Sequence, residues 1–447
     1  ADWQIESSTW SAQGQRWILR EIQRSPKSQD ASGTHLCIWP AGPLRVQVQT
    51  PQGHAGKPGD SIVASTLIRL PRAPLQFEGF DLEAHAFARD LQGYGSVRTI
   101  QSHSPATALQ LLLHWPSRVQ AAVSTHIHAS LHNHPQYPLV MALVTGDQGL
   151  IDADDRKLYS ETGIAHLVAI SGFHIQMLVW AVAALCTTCW RRSAGLCLKA
   201  PAQQVGMLCG LLAGLAYALV AGWGIPAQRT VLMQGLSFVC KNRGLRVSVW
   251  TQWAWALAAV CLLDPWAVLS PSCHLSFGAV ALLIWAGTPS NTALLREQHP
   301  AWRRALSQGL HAQWVATLGL LPVCAFYFGQ ISALSLPVNV LAIPWMSWVA
   351  TPLAVLGGLL HQTGLLHLAA WCLDRQHQLL EWVTQVGQGA VWSVPQQPEG
   401  LLLLSMWGAL GVLHQPVWLV SRAERWARKT LAVLALLAQT LQNRNYR

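Results

Sequence analysis

Hydrophobic and polar positions follow two different patterns along the chain. Up to residue 70, short alternating stretches such as QRWILREIQR, THLCIW, RVQVQT and DSIVASTLIRL are separated by clusters of Gly, Pro, Ser and Asp. Because a period of two places successive side chains on opposite faces of a strand, these stretches predict four or five strands. So many strands in a short segment indicate a small antiparallel barrel or sandwich. A short helix is expected at 80–91, and the glycines that follow it predict its end.

After about residue 104 the pattern becomes helical. The segment 107–134 has apolar faces but too many polar groups for a span, so it is expected to lie at a membrane interface. The segment 363–386 is also amphipathic, and is expected to lie along the surface or to line a cavity. Elsewhere, apolar runs approach the ~20 residues that a membrane helix needs. The strong runs are 166–189, 204–223, 247–263, 272–287, 310–328, 336–360 and 401–420, and weaker ones are 227–240 and 430–441.

These patterns predict a polytopic α-helical membrane protein with an N-terminal β-domain. Composition supports this fold class, because 51% of the residues are hydrophobic and only 11% are charged, which excludes an ordinary soluble protein. The expected organisation is a β-domain with a linker helix at 1–100, amphipathic interfacial helices at 101–165, and a polytopic transmembrane domain at 166–447.

Positive charge is concentrated in the apolar part of the chain. The net charge is +10, and residues 1–100 carry ten basic against nine acidic residues, so nearly all of the excess lies after residue 100. Cytoplasmic loops, an anionic substrate or both would account for it. Basic clusters at 191–199, 241–246 and 296–304 predict cytoplasmic loops, with the β-domain on the other side of the membrane. A basic tail at 422–429 departs from this rule if 363–386 does not cross.

Three polar side chains stand at the start of the first strong apolar run, GIAHLVAISGFHIQMLVW. Ser171 and His174 are three residues apart, so they are predicted to share a helix face, with His166 further along the same axis. Gly172 permits a close approach or a break. Buried polar groups need partners, so these residues either make interhelical hydrogen bonds or meet a polar substrate.

Other polar groups also stand beside helix-breaking residues. Arg229 follows Gly224 and Pro226, and a broken helix that aims an arginine at a cavity is one way to meet an anion inside a membrane. The alternative is an interfacial arginine that reaches the headgroups. His274 and Ser276 begin another run, and Asn339 stands between two prolines. Polar groups at interrupted helices are expected where a wet path crosses the membrane.

Two kinds of hydrolase remain as alternatives. His128 and His132 are four residues apart and have the spacing of zinc ligands, but no Glu lies between them and no Asp-His follows. Ser171 could serve as an intramembrane nucleophile, although Ala169 stands where the Gly-x-Ser-Gly pattern has its first glycine. No Gly-x-x-x-x-Gly-Lys-Ser/Thr loop occurs in the sequence, so hydrolysis of a nucleotide by a P-loop is excluded.

Five blocks of sequence resemble, in order and spacing, the membrane domain of the ComEC competence family. They are LVMALVTGDQGLI, TGIAHLVAISGFHIQML, YALVAGWGIPAQRTVLM, DPWAVLSPSCHLSFGAVALL and LPVNVLAIPWMSWVATPL. The resemblance covers about residues 1–420, and it implies that the N-terminal domain is a small OB-like β-barrel. The chain departs from the family at Thr230, where alanine is usual, and at Cys273 and His274, where an aromatic residue and glutamine are usual. The His-x-His-x-Asp-His run of the family's metallo-β-lactamase-like domain does not occur in the sequence.

The resemblance implies a channel that translocates single-stranded DNA across the bacterial cytoplasmic membrane during natural transformation. The protein would be a multi-pass, non-enzymatic channel with an extracytoplasmic β-domain, and no cofactor or metal is expected. The alternatives are a polytopic transporter of another anionic substrate, or an intramembrane serine or zinc hydrolase. The residues expected to line the DNA path or channel are His166, Ser171, Gly172, His174, Arg229, His274, Ser276 and Asn339, and the expected turn or structural motif comprises Gly146, Asp147 and Pro226.

The partners implied are single-stranded DNA, the lipid bilayer, a DNA-receptor protein on the outer side, and a cytoplasmic ATPase or helicase with proteins that handle single strands. A homodimer is a further expectation. The near-neutral β-domain is expected to bind single-stranded DNA only weakly, since such barrels usually combine a basic groove with stacking aromatics. Its tryptophans Trp3, Trp10, Trp17 and Trp39 are expected in the barrel core, and the alternative is that they lie on one face and stack bases.

Overall fold

The computed structural model describes residues 2–11, 14–23, 44–50, 56–69, 91–287, 300–387 and 389–393. Several predicted features lie outside these residues: the strand THLCIW with Trp39, almost all of the helix at 80–91, the apolar runs at 401–420 and 430–441, and the basic tail.

The N-terminal domain is an OB-like barrel. Its strands close in the order β1-β2-β3-β5-β4, with β1 and β4 also paired. The β3–β5 pair is parallel and the other pairs are antiparallel. The strands are β1 (Asp2–Ser11), β2 (Gly14–Gln23), β3 (Arg45–Gln49), β4 (Ser61–Arg69) and β5 (Gly93–Ser104).

Strands β1 and β5 do not belong to the stretches that alternation predicted. Strand β5 contains two glycines near its start, Gly93 and Gly95, which the sequence pattern predicts as the end of a helix. At Gly95 an added Cβ atom would lie 1.9 Å from the carbonyl oxygen of Leu67. Glycine is therefore needed there for close backbone approach between β4 and β5. The strand also extends to Ser104, past the predicted boundary at residue 100.

Alternate side chains of the strands fill the barrel. Trp3 and Ile5 of β1 and Trp17 and Leu19 of β2 are all buried, as the period of two requires. The prediction that tryptophans form the core is confirmed for Trp3 and Trp17. It is wrong for Trp10, which is partly exposed and outside the core cluster.

Helices make up most of the chain after β5, joined by short turns, a 3₁₀ turn, a π-helical turn and a small two-stranded sheet. They are α1 (Ala108–Leu113), α2 (Trp115–Leu131), α3 (Tyr137–Thr145), α4 (Ala153–Glu161), α5 (Ala165–Val168), α6 (Gly172–Arg191), α7 (Ala194–Lys199), α8 (Ala202–Val220), α9 (Ile225–Asn242), α10 (Val249–Leu263), α11 (Pro271–Ala286), α12 (Ala301–Phe328), α13 (Ser335–Trp345), α14 (Thr351–Leu359) and α15 (Thr363–Val386).

Four helical segments in the described part of the chain are long and apolar enough to cross a membrane: Gly172–Arg191, Ala202–Val220, Leu306–Phe328 and Ser335–Leu359. The prediction of a polytopic membrane protein with an N-terminal barrel is confirmed. The predicted runs 247–263 and 272–287 form helices of 15 and 16 residues, shorter than the ~20 residues of a straight span.

The predicted run 166–189 is not one helix. Helix α5 ends at Val168, and α6 begins at Gly172 after an N-cap at Ser171. The segment Ser335–Leu359 continues as a π-helical turn, Met346–Ala350, after Pro344. Proline lacks the N–H that an α-helix would use, so a change of hydrogen-bond pattern is expected beside it.

The chain divides into two compact units. The first unit comprises residues 1–155, 166–238 and 345–377, and the second comprises 156–165, 239–344 and 378–447.

Within the first unit, α6 and α8 are antiparallel neighbours. The stripe Gly206, Gly210 and Gly214 on α8 faces α6, where added Cβ atoms would meet Thr187 at 1.9 Å and the Val179 carbonyl oxygen at 2.4 Å. Small residues allow helices to pack closely in lipid, where the hydrophobic effect does not drive their association.

Helix α2 joins the barrel to these spans. Its buried face includes Val123 and Ile127. A Cβ atom on Gly358 of α14 would lie 3.1 Å from Val144 of α3 and 3.2 Å from Val123. Three helices therefore meet closely at this glycine.

The buried carboxylate of Asp60, just before β4, connects the barrel to the helices. It accepts hydrogen bonds from the backbone N–H of Lys57 and of Ala106, each at 3.2 Å. The ring of His103 lies 3.0 Å from it, and the guanidinium of Arg118 in α2 lies 3.4 Å from it. One side chain thus links β4, β5, the segment before α1, and α2.

The second unit contains α10, α11 and α12 together with a two-stranded antiparallel sheet, β6 (Gln330–Ser332) and β7 (Val391–Ser393). The indole N–H of Trp253 in α10 donates to the carbonyl oxygen of Phe277 in α11 at 3.0 Å. The side chains of Gln330 and Ser332 donate to α4, at the hydroxyl of Ser160 and the carbonyl oxygen of Glu161.

Replacing Trp17 by alanine should lower the free energy of unfolding of the barrel by about 3–5 kcal/mol, because it leaves a large cavity in a closed core. Hydrogen exchange of barrel peptides in the full chain would measure the loss. Ile22→Ala is the control, since Ile22 is 56% exposed on the same strand and should change stability by no more than about 0.5 kcal/mol. Equal protection in both variants would contradict this account of the core.

Candidate functional site

The start of α6 is a capping box formed by Ser171 and His174. The hydroxyl of Ser171 accepts from the His174 N–H at 3.3 Å, and Nδ1 of His174 accepts from the Ser171 N–H at 3.4 Å. The prediction that these side chains share a helix face is therefore wrong, because Ser171 precedes the helix and His174 takes the place that Glu or Gln usually has. The other ring nitrogen of His174, Nε2, is buried and has no hydrogen-bond partner among the described residues.

Gly172 brings the start of α6 against α9. An added Cβ atom would lie 2.4 Å from Oγ1 of Thr230, 2.5 Å from Nη2 of Arg229 and 3.2 Å from the carbonyl oxygen of Pro226. The predicted close approach at Gly172 is therefore present. Any side chain at this position would displace the guanidinium of Arg229.

The turn before α9 has an unusual backbone. Gly222 and Trp223 have φ values of 87° and 52°, and a positive φ is rare for a bulky residue such as tryptophan. The amide of Gln228 holds the turn by donating to the Trp223 carbonyl oxygen at 2.8 Å. Pro226 is the second residue of α9, where proline is tolerated, so it begins the helix instead of breaking it. Thr230, the departure from the family pattern, donates its hydroxyl to the Pro226 carbonyl oxygen at 2.9 Å.

Two sources of positive potential meet at this point. Arg229 is in the second turn of α9, and its guanidinium lies beside the first residue of α6. The N-terminus of a helix carries roughly half a positive charge, and such ends bind anions. The arrangement favours an anionic group in front of Gly172 and Arg229.

The turn after α3 connects this site to the barrel. Gly146 ends α3 with φ 77°, and an added Cβ atom there would lie 2.4 Å from the Ala221 carbonyl oxygen and 3.6 Å from Cδ1 of Ile170. Asp147 accepts from the Gly149 N–H at 2.9 Å. Glycine is thus required at Gly146 both for its left-handed backbone and for contact with the end of α8.

On its other side, the same turn faces the barrel. A Cβ atom on Gly149 would lie 3.4 Å from the guanidinium of Arg16 in β2 and 3.9 Å from the Trp10 carbonyl oxygen in β1. The turn 146–149 therefore lies between the barrel and the end of the spans that holds Gly172 and Arg229. We call this end the barrel end.

A stacked pair of rings fixes the barrel to α2. Trp10 and His128 have ring centroids 3.9 Å apart and planes inclined by 15°, and Nδ1 of His128 lies 3.0 Å from the hydroxyl of Tyr137. Burial, and then the neighbouring His132, lower the pKa of His128, so its ring is neutral at pH 7. Among the described residues no group of three His, Cys, Asp or Glu side chains is placed to hold a metal.

The remaining predicted residues lie on other elements of the chain. His166 lies on α5 and is exposed. In the second unit, Asn339 is buried in α13, where its amide donates to the Gly163 carbonyl oxygen at 3.4 Å and its Oδ1 has no partner among the described residues. His274 is exposed on α11 and stacks on Tyr327 of α12, with ring centroids 5.7 Å apart. Ser276, on the same helix, is half-buried.

Sequence reasoning missed a polar pair next to the site. The amide of Gln234 in α9 donates to Oε1 of Gln176 in α6. Both glutamines stand inside apolar segments, FHIQMLVW and VLMQGLSF, so the signal that singled out His174 and Arg229 also applied to them.

The family model described as Competence protein matches residues 143–419. "Competence protein ComA" of Neisseria gonorrhoeae is 34% identical over 277 residues, 62% of this chain and 38% of that protein. "Uncharacterized protein YcaI" of Escherichia coli (strain K12) is 31% identical over 329 residues, 70% and 40% of the two chains. "ComE operon protein 3" of Bacillus subtilis (strain 168) is 25% identical over 222 residues, 50% and 26%. No solved structure matches the chain.

The barrel followed by a polytopic membrane domain defines a membrane protein with an OB-like domain, and the family match covers more than half of the chain. The chain belongs to the competence protein family. The predicted resemblance to the ComEC family is thereby confirmed. The chain spans about a quarter to two fifths of the length of these three relatives.

Gly172→Ala should destabilise the first unit by about 1–3 kcal/mol, because the new methyl group overlaps Arg229 and Thr230. Gly235→Ala is the matched control: nothing lies within 4 Å of a Cβ atom there, and alanine in a helix is more stable than glycine by about 0.5–1 kcal/mol. In thermal unfolding of the detergent-solubilised chain, the midpoint temperature should fall for Gly172→Ala and rise for Gly235→Ala. A higher midpoint for Gly172→Ala would show that the contact with α9 is not tight.

Proposed function

We propose that the membrane domain translocates single-stranded DNA across the bacterial cytoplasmic membrane, and that Gly172 and Arg229 mark the entrance at the barrel end. The observation that carries the proposal is the positive potential of Arg229 beside the N-terminus of α6, in a chain of the competence protein family. DNA uptake is the transport process that competence requires, and DNA is an anion.

The sparseness of the charge suits passage. Each nucleotide carries one negative charge, which a hydrocarbon layer rejects, so the strand needs a hydrated groove with donors. A pore must bind its substrate well enough to admit it and weakly enough to release it. One arginine with neighbouring neutral groups meets this requirement better than a cluster of arginines would.

In this proposal the predicted residues have different roles. Arg229 contacts a phosphate directly, and Ser171 and His174 hold the start of α6 in place. Gly172 and Pro226 set the position of the guanidinium, and Gly146 and Asp147 shape the turn towards the barrel. His166, His274, Ser276 and Asn339 are further candidates for the path.

The proposed orientation of the chain in the membrane follows from the basic residues at the C-terminal end of α6. Arg191 and Arg192 lie at its C-terminus, and Lys199 follows on α7. Basic residues next to spans favour the cytoplasmic side, so the barrel end faces outwards. A receptor protein would then deliver the strand to the barrel, and a cytoplasmic ATPase or helicase with single-strand-handling proteins would draw it inwards, with the chain acting alone or as a homodimer.

The barrel itself is proposed to guide DNA without capturing it. Glu6 forms ion pairs with Arg45 and, at 3.9 Å, with Arg20. Two of the basic residues on β2 and β3, the strands that bind oligonucleotides in OB folds, are therefore partly neutralised.

A transporter of another anion is the second candidate, because the same positive potential at Gly172 and Arg229 would attract any anion. A transport assay distinguishes the two functions. A small-anion transporter would move its substrate into vesicles when DNA is absent, and added single-stranded DNA would not reduce that transport.

Arg229→Ala should reduce uptake of labelled single-stranded DNA by about 100-fold or more, since the strand loses its only proposed cation at the entrance. Transformation frequency in a competent host that carries the variant provides the measurement, with immunodetection in the membrane fraction. Arg192→Ala, at the opposite end of α6, should leave uptake near normal. Undiminished uptake by Arg229→Ala would refute the proposal.

Purified chain should not hydrolyse ATP, with or without single-stranded DNA, because the sequence has no P-loop. Phosphate release measured in the presence and absence of an oligonucleotide is the assay. DNA-stimulated hydrolysis by the purified chain would require a motor within it, and would remove the need for the proposed cytoplasmic ATPase.

A further inference from the structure

Helix α1 presents an apolar surface that nothing in the described structure covers. None of its residues is buried. Leu109, Leu112 and Leu113 are each about two-thirds exposed, and Leu111 and Trp115 are about 40% exposed. Exposed leucines scattered singly are ordinary on a protein surface, but a contiguous apolar patch marks an interaction site.

The patch is held firmly in place. A capping box of Thr107 and Gln110 fixes the start of α1, with the Thr107 N–H donating to Oε1 of Gln110 at 2.7 Å. Immediately before the helix, the Ala106 N–H donates to Asp60. Immediately after it, Arg118 of α2 donates to the Pro58 carbonyl oxygen at 2.8 Å and reaches the same Asp60. Both ends of α1 are thus attached to one rim of the barrel.

Position and charge identify the partner. The unit that contains α1 also contains the spans α6 and α8, and α2 connects the barrel to them. In the sequence, no Asp or Glu occurs between Asp90 and Asp147, whereas Arg98 and Arg118 do. The nearby carboxylate of Asp60 is buried and paired with His103 and Arg118. An apolar surface of this kind fits the boundary between headgroups and acyl chains, and anionic lipids add to the attraction. Leucine and tryptophan are the side chains that such interfacial helices insert.

We propose that α1, together with Trp115 at the start of α2, is a lipid anchor: Leu109, Leu112, Leu113 and Trp115 insert into the bilayer surface and, through Asp60, hold the barrel at a fixed height above the spans. The occupant is the membrane itself, continuous with the lipid around the spans. The proposal does not depend on DNA transport.

The test uses a photoreactive benzophenone amino acid at residue 112 of the full chain, reconstituted in vesicles of phosphatidylethanolamine and phosphatidylglycerol. After irradiation, mass spectrometry identifies what the residue has bonded to. The matched control is residue 22, which is also an exposed apolar position but lies at the end of β2 away from Trp10 and α2. Hydrogen exchange of barrel peptides verifies that each labelled chain is folded, and residue 109 replaces 112 if that variant does not fold.

Lipid adducts at residue 112, several-fold more abundant than at residue 22, are the expected result. Adducts at 112 should also decrease when phosphatidylglycerol is replaced by a zwitterionic lipid. A crosslink from 112 to residues 70–90 or 394–447 of the chain, or to a second copy, would overturn the proposal, because a protein segment would then cover the patch. Equal lipid adducts at both positions would also overturn it.

Discussion

The contact between Gly172 and α9 determines most of the geometry at the barrel end. Because position 172 has no side chain, the guanidinium of Arg229 can lie against the first residue of α6. The Ser171–His174 capping box then fixes the start of that helix through the N–H groups of these two residues. The left-handed turn at Trp223 directs α9 into this contact. A methyl group at position 172 would displace Thr230 and the guanidinium of Arg229 from this contact.

A single residue also holds several segments together where the barrel meets the helices. Asp60 is a buried carboxylate that four donors from different parts of the first unit approach. A charge that is buried and surrounded by donors is costly to leave unpaired, so the segments that supply the donors are held together. The Trp10–His128 stack acts at a second point on α2. Two separate attachments fix the rotation of the barrel on α2, which a single contact would leave free.

The sequence predicted the elements better than the contacts between them. Strands β2, β3 and β4 followed from alternation, and the spans followed from the length of apolar runs. Strand β5 was missed because Gly93 and Gly95 looked like a helix stop, whereas they serve close packing between strands. At the site, polarity within apolar runs located Ser171, His174 and Arg229. Their roles were beyond prediction, because the break before Gly172 and the position of α9 depend on residues far apart in the chain.

The division of the chain into interleaved units has a consequence for how the protein is made. Gly358 fits between Val123 and Val144, yet it is synthesised more than 200 residues after them. At ribosomal rates of roughly 5–20 residues per second, the wait is on the order of 10–40 s. During that time the gap beside α2 and α3 stays open while the spans between enter the membrane. The first unit therefore cannot complete its packing around α2 and α3 until the last of its three segments has been synthesised.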